Sequence, residues 1–185
     1  MPTLKGRRIV LGVCGSIAAY KAADLASLLA QAGAEVRVVM TQSARKIISE
    51  HALKTLSRNP VVSDLWEAGE DWKPRHISLA EFAEVLLVAP ASANTIAKFA
   101  HGIADDALSC TYLATRAKTL LAPAMNVAMF EHPATQENLA ILERRGAKIV
   151  SPAVGNLACG AHAKGRLADL DDIVKALIDL LQNLS

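Results

Sequence analysis

Aromatic residues make up only 4% of a 185-residue chain that is 52% hydrophobic. With so few rings the core must be filled by Ala, Val and Leu, which suits aliphatic layers packed between helices and strands. Cysteine is scarce as well. Cys14, Cys110 and Cys159 are odd in number and far apart, which argues against a disulfide framework and points to a reducing, cytoplasmic setting. Neither sign of charge dominates: 20 Lys and Arg against 18 Asp and Glu leave +2, with no basic run interleaved with aromatics, so nothing supports a nucleic-acid surface. Apolar runs are short, and none reaches the roughly 20 residues that span a bilayer. The expected partners are small molecules and other protein chains, with neither nucleic acid nor membrane.

What is present is a regular alternation of short apolar runs with helical patterns. Val85 to Ala89 is a continuous apolar run, too short for a helix and without the alternation of a half-exposed strand, so it reads as a central parallel strand closed by Pro90. Ile9–Val13, Val36–Met40, Thr119–Ala122 and Lys148–Val150 read as four further strands. Helices are expected from Ile17 to Gly33, over residues 44–57, after Asn94, from Ala134 to Arg145 and from Asp171 to Leu181. The fold class this implies is α/β: a doubly wound, essentially parallel sheet with helices on both faces, a Rossmann- or flavodoxin-like three-layer sandwich in a single domain over residues 1–185. Arg58–Arg75 is a surface excursion whose Trp66 and Trp72 suggest burial against a neighbouring subunit.

Polar residues gather where such sheets place their ligand crevice, at the carboxyl ends of strands. Gly15, Ser16 and Ile17 open the first helix, where backbone N–H groups suit an anion such as phosphate. Thr41, Gln42 and Ser43 follow the second strand where a dinucleotide fold of the NAD type carries a carboxylate. That favours a mononucleotide such as FMN, with Ser43 as a helix N-cap the competing reading. Ser92, Ala93, Asn94 and Thr95 follow the central strand, and Asn126 lies three residues past Pro123. Asp105 and Asp106 read as an N-cap rather than as a catalytic pair. Met125 and Met129 stand four apart, as core spacing or as an apolar wall for a flexible substrate. Pro152–Ala168 reads as a 17-residue loop rich in Gly and Ala, a candidate mobile lid carrying Cys159. Cys159 and His162 have no companions that would complete a metal site.

Three motifs carry a family resemblance. Pro90-Ala-Ser-Ala-Asn-Thr95 with Gly102-Ile-Ala-Asp-Asp106, Pro123-Ala-Met-Asn-Val-Ala-Met-Phe130, and Leu157-Ala-Cys-Gly160 with Gly165-Arg-Leu167 resemble the flavin-containing cysteine decarboxylases, in family order over nearly the whole chain. The flap of that family usually carries Gly at the place of Ala163 and Met at that of Leu167, and Phe130 replaces a commoner Trp or Tyr. The resemblance implies FMN as cofactor and a homotrimer or tetramer of trimers with flavin near a subunit boundary. It further implies decarboxylation of 4'-phosphopantothenoylcysteine to 4'-phosphopantetheine in coenzyme A biosynthesis. On the same basis His76 would be the base of an oxidative half-reaction, Asn126 the grip on the departing carboxylate and Cys159 the late proton donor. Gly15–Ile17, Thr41, Ser43 and Ser92–Thr95 would hold the cofactor, and Met125, Met129 and Arg166 the substrate. Rival expectations are a peptidyl-cysteine decarboxylase, a flavin prenyltransferase and a non-catalytic subunit of this fold. Many bacterial relatives carry a fused ligase domain that these 185 residues do not include.

Overall fold

The computed structural model describes residues 4–66, 72–156 and 162–182. Its main sheet has six parallel strands in the order β3-β2-β1-β4-β5-β6, formed by β1 (Arg8–Val13), β2 (Glu35–Met40), β3 (Val61–Val62), β4 (Val85–Ala91), β5 (Lys118–Pro123) and β6 (Lys148–Ile149). Chain direction across the sheet reverses between β1 and β4, the switch point where a crevice opens beyond the strand ends. The doubly wound expectation therefore holds.

Alternate residues of the strands feed two separate cores. Ile9, Leu11, Val36, Val38, Val85, Leu87 and Leu120 face one side and meet Leu25 and Leu29 of α1 (Lys21–Gln31), Leu53 of α2 (Glu50–Ser57) and Ile173 and Leu177 of α8 (Leu170–Gln182). Val10, Val39, Leu86, Val88 and Leu121 face the other. They meet Leu79 of α3 (Arg75–Phe82), Ile96 and Phe99 of α4 (Ala93–His101), Leu108 of α5 (Ala107–Ala114) and Leu142 of α7 (Pro133–Arg144). Because both faces are covered, β4 is buried along all seven of its residues, which is why its sequence shows no alternation. Each large aliphatic side chain removed from water here contributes about 1.5–3 kcal/mol.

Four local expectations are corrected. β4 runs through Pro90 to Ala91, with a cis Ala89–Pro90 peptide and a register shift after Val88, so the proline sits at an irregularity rather than ending the strand. Val61–Val62 is a sixth, edge strand; two residues were too few to show a period. The helix expected over residues 44–57 is a 3-10 turn (Ala44–Lys46) followed by α2, because Ser49 caps a new helix by accepting from the His51 N–H at 3.1 Å. Pro152–Ala168 is not wholly without structure: β7 (Ala153–Asn156) and β8 (His162–Arg166) pair antiparallel. Ala153 and Gly155 in β7 and Ala163 and Gly165 in β8 have low strand propensity, so propensity hid them.

Candidate functional site

β1, β4 and β5 end side by side, and each leads into a turn or helix capped by a side chain. Ser16 Oγ accepts from the Ala18 N–H at 3.4 Å and Ser92 Oγ from the Thr95 N–H at 3.3 Å, while Asn126 Oδ1 accepts from the Ala128 N–H at 2.9 Å. Asn126 thereby starts α6 (Val127–Glu131). The other first-turn N–H groups, which have no partner within their own helix, are left around one rim.

Two adjoining cavities open there. The first, of about 590 Å³, is lined by Gly15, Ser16, Ile17, Ser92, Met125, Asn126, Met129, Gly165 and Arg166 among others. The second, of about 440 Å³, is lined by Thr41, Gln42, Ser43, Asn94, Thr95, Lys98, Asp105 and Asp106, and the two share Gly15, Ser92, Ala93 and Met129. Gly15 is at the junction, where an added Cβ would overlap the Cβ of Ser43. Only a glycine lets β1's loop and the Thr41–Ser43 turn approach so closely. All nine residues expected to hold a cofactor, and Met125, Asn126, Met129 and Arg166 with them, line one cavity or the other. Ser43 stands at the N-cap position of the 3-10 turn, as the alternative expected, but its side chain makes no capping bond there. Met125 precedes α6, so it and Met129 are not a helical pair.

The second cavity has an ionic wall that the sequence did not announce. Lys98 Nζ donates to Asp105 at 2.6 Å and to Asp106 at 3.0 Å, while Asp106 caps α5 and closes a capping box with Ser109. Burial disfavours the ammonium of Lys98, yet its bonds to the two carboxylates more than offset this and its pKa is raised. Burial would likewise raise Asp106, but the Ser109 N–H and the Lys98 ammonium hold its carboxyl below the ordinary value. Of the paired carboxylates, Asp106 is the N-cap that the sequence allowed for. The available signal for Lys98 was its place four residues after Asn94, one helical turn further on. Beneath the junction, Cys14 is wholly buried, and burial pushes its thiol up to about 11 against hydrogen bonds with Thr95 and Ser92.

One expected residue is not brought to the cavities. His76 is the second residue of α3, which packs on α5, and it lines neither cavity; its Nδ1 is buried and has no hydrogen-bond partner among the described residues. Cys159 lies outside the described residues. Arg166 reaches the first cavity while its Nη2 donates to Asp169 at 2.9 Å. Trp66 and Trp72 are 87% and 90% exposed, so neither is buried within its own chain. Among the described residues no helix is long and apolar enough to cross a membrane.

Comparison with known proteins gives this geometry a family. The chain is 44% identical over 177 residues to a probable phosphopantothenoylcysteine decarboxylase of Streptococcus mutans, covering 95% of this chain and 99% of that one. It is 45% identical over 172 residues, 93% of this chain, to the coenzyme A biosynthesis bifunctional protein CoaBC of Bacillus subtilis, but spans only 42% of that protein's length. Among solved structures, a PPC decarboxylase mutant complexed with pantothenoylaminoethenethiol superposes with a TM-score of 0.86 at 30% identity, covering 97% of this chain and 100% of that one. The FMN-dependent cysteine decarboxylase SpaF superposes with a TM-score of 0.83 at 34% identity, covering 97% of this chain and 98% of that one. With the Flavoprotein family matching residues 2–182, the chain belongs to that family.

Proposed function

We propose that this chain is an FMN-dependent decarboxylase that converts 4'-phosphopantothenoylcysteine to 4'-phosphopantetheine in coenzyme A biosynthesis. The observation that carries the reading is the first cavity, which gathers Asn126, Met125, Met129 and Arg166 at the same strand ends as the Gly15–Ile17 and Ser92–Ala93 loops. The residues present fit a flavin mononucleotide. Hydroxyls, amides and backbone N–H groups surround the junction, the turn after β2 offers Thr41, Gln42 and Ser43 in place of a carboxylate, and Gly15 keeps the loops close enough to clasp a flat group.

Bound FMN supplies a two-electron acceptor, and later a donor, for the thiol-bearing carbon of the substrate's terminal cysteine. The protein's share is binding, orientation and proton transfer. Asn126 grips the carboxylate that departs as carbon dioxide, and Met125 and Met129 wall the apolar arm of the substrate. Arg166 turns its guanidinium to an anionic group of the substrate, phosphate or carboxylate. By resemblance His76 takes the substrate's thiol proton and Cys159 returns a proton to the carbon that lost its carboxyl group. His76 lines neither cavity of its own chain, so it is assigned to the cavity of a neighbouring copy in a homotrimer, or a tetramer of trimers, with the exposed Trp66 and Trp72 covered by that copy. The single-domain reading over residues 1–185 and a cytoplasmic location complete the proposal.

The test is reconstitution with FMN followed by incubation with 4'-phosphopantothenoylcysteine. Flavin absorbance on the purified chain, carbon dioxide release and 4'-phosphopantetheine are expected together. A chain that takes up no flavin becomes a binding subunit. One that stops at the enethiol, or prefers a peptide ending in cysteine, becomes a peptide-modifying enzyme.

A further inference from the structure

Gly165 departs from β-geometry beside the first cavity. In the β7–β8 pairing Ala153 faces Arg166 and Val154 faces Lys164, so Gly165 is the extra residue of a bulge and has no partner on β7. Its φ of +147° is one that side-chain-bearing residues rarely adopt. The bulge frees its carbonyl, which accepts the Met125 N–H at 3.0 Å. An added Cβ would collide with the Met125 carbonyl oxygen and lie 3.6 Å from the Asn126 carbonyl carbon and 3.5 Å from the Val127 N. Gly165 is therefore pressed against the three-residue backbone from which Asn126 projects.

We infer that the Gly165 bulge is the positioning element for Asn126, fixing the backbone of Met125–Val127 so that the amide side chain is held towards the cavity. Ala124 N–H donates to Ala91 O on one side, and on the other Asn126 accepts from its own helix through Ala128. Met125 lies between them, and its N–H donates to the Gly165 carbonyl. A bulge that re-aims a neighbouring side chain is a recurrent use of this irregularity beside sites. Its effect on the reaction rests on the decarboxylase reading above; the latch between the two backbones does not.

Three measurements test it. In the cofactor-free protein, amide exchange at Met125 should be protected, and Gly165→Ala should speed it by on the order of 10-fold or more, the signature of a lost structural hydrogen bond. In the FMN-loaded enzyme Gly165→Ala should lower kcat for carbon dioxide release by roughly 10- to 100-fold while the bound flavin absorbance is kept. The double variant Gly165→Ala, Asn126→Ala should be no slower than Asn126→Ala alone, because a residue that acts through another adds nothing once that one is gone. Gly146→Ala is the control: Gly146 has φ +92° in the turn after α7, remote from the cavities, and nothing lies within 4 Å of its added Cβ. It too sets a side chain at a positive φ, and it should leave kcat unchanged. Additive losses in the double variant, or a loss in Gly146→Ala equal to that in Gly165→Ala, overturn the inference. Should Gly165→Ala fail to fold, a Met125 amide that exchanges freely in the native parent overturns it as well. A parent that releases no carbon dioxide defeats the decarboxylase reading and leaves the exchange result to judge the latch.

Discussion

The two cavities share four lining residues and little else in character. The first is walled by Ile17, Met125 and Met129 with Asn126, and Gly165 and Arg166 of β8 complete it. The second is walled by hydroxyls, amides and a Lys98–Asp105–Asp106 cluster in which one ammonium bridges two carboxylates. An apolar wall with a few directed polar groups suits orienting a flexible substrate, whereas a prepaired polar wall keeps loops in place without demanding a charge from the ligand. The lesson is that one crevice can separate holding from reacting by which helix starts it recruits.

The shared wall is where this contrast breaks most completely. Gly15→Ala brings its Cβ onto that of Ser43 and disturbs both cavities at once. Its flavin content after reconstitution should fall by on the order of 100-fold in apparent affinity, since about 2–3 kcal/mol of overpacking sits at the junction. A variant that retains stoichiometric flavin would show the junction to be looser than its geometry.

A substitution confined to the first cavity should separate the functions. Asn126→Ala is expected to keep its flavin but lose roughly 100-fold in kcat, as for removal of a directed amide, together with about 1 kcal/mol of stability from the lost cap on α6. Unchanged turnover with the same thermal shift would reduce Asn126 to a capping residue.

Lys98→Met should do the reverse, leaving kcat near the parent value and costing about 1 kcal/mol at neutral pH. The pH dependence follows from the shifts. The depressed Asp106 carboxyl contributes stability above its unfolded value near 3.8, lost as pH falls through the lower folded value. The raised Lys98 ammonium contributes below its unfolded value near 10.5, lost as pH rises through the higher folded value. Urea titrations across pH should therefore show parent and variant differing most between these limits and converging in strong acid and strong base. A constant difference at every pH would mean that packing, not charge, sets the effect.

The smallest effect concerns the floor. With its thiol pushed up to about 11 and wholly buried, Cys14 should not react with a thiol reagent at pH 8 in the native protein, while the partly exposed Cys110 reacts first. Mass mapping of the labelled sites checks the order, and early labelling of Cys14 would mean that the crevice floor opens.

The same contrast marks what could be read in the sequence. The five longer runs of the sheet were legible, because a strand buried on both faces writes itself as a run such as Val85–Ala89 and its polar loop follows at once, whereas the two-residue edge strand Val61–Val62 was not. The second cavity was nearly complete on that basis: Thr41, Ser43, Asn94 and Thr95 are each a residue or a few beyond a strand end. What arrives from elsewhere in the chain was not legible. Gly165 reaches the site from a hairpin of Gly and Ala with no period to detect, and its bulge depends on pairing with β7. Lys98 was not singled out, since its meaning depends on where Asp105 and Asp106 return after the Gly102 turn. His76 could be placed at a helix start, but a helix start does not say whether the side chain reaches a cavity.

β4 has a consequence for the order in which the molecule comes apart. All seven of its residues are buried between two cores and it is paired to β1 and β5 on either side, so its amides should be among the last to exchange. Ser92 hangs from its end, and the rim around it can be lost only when the whole sheet is lost. β7 and β8 form a separate two-stranded ribbon, which can open while that rim stays intact. Under gentle warming or mild denaturant the protein should therefore pass through a species that still clasps a flat ligand but has already lost its hold on Asn126.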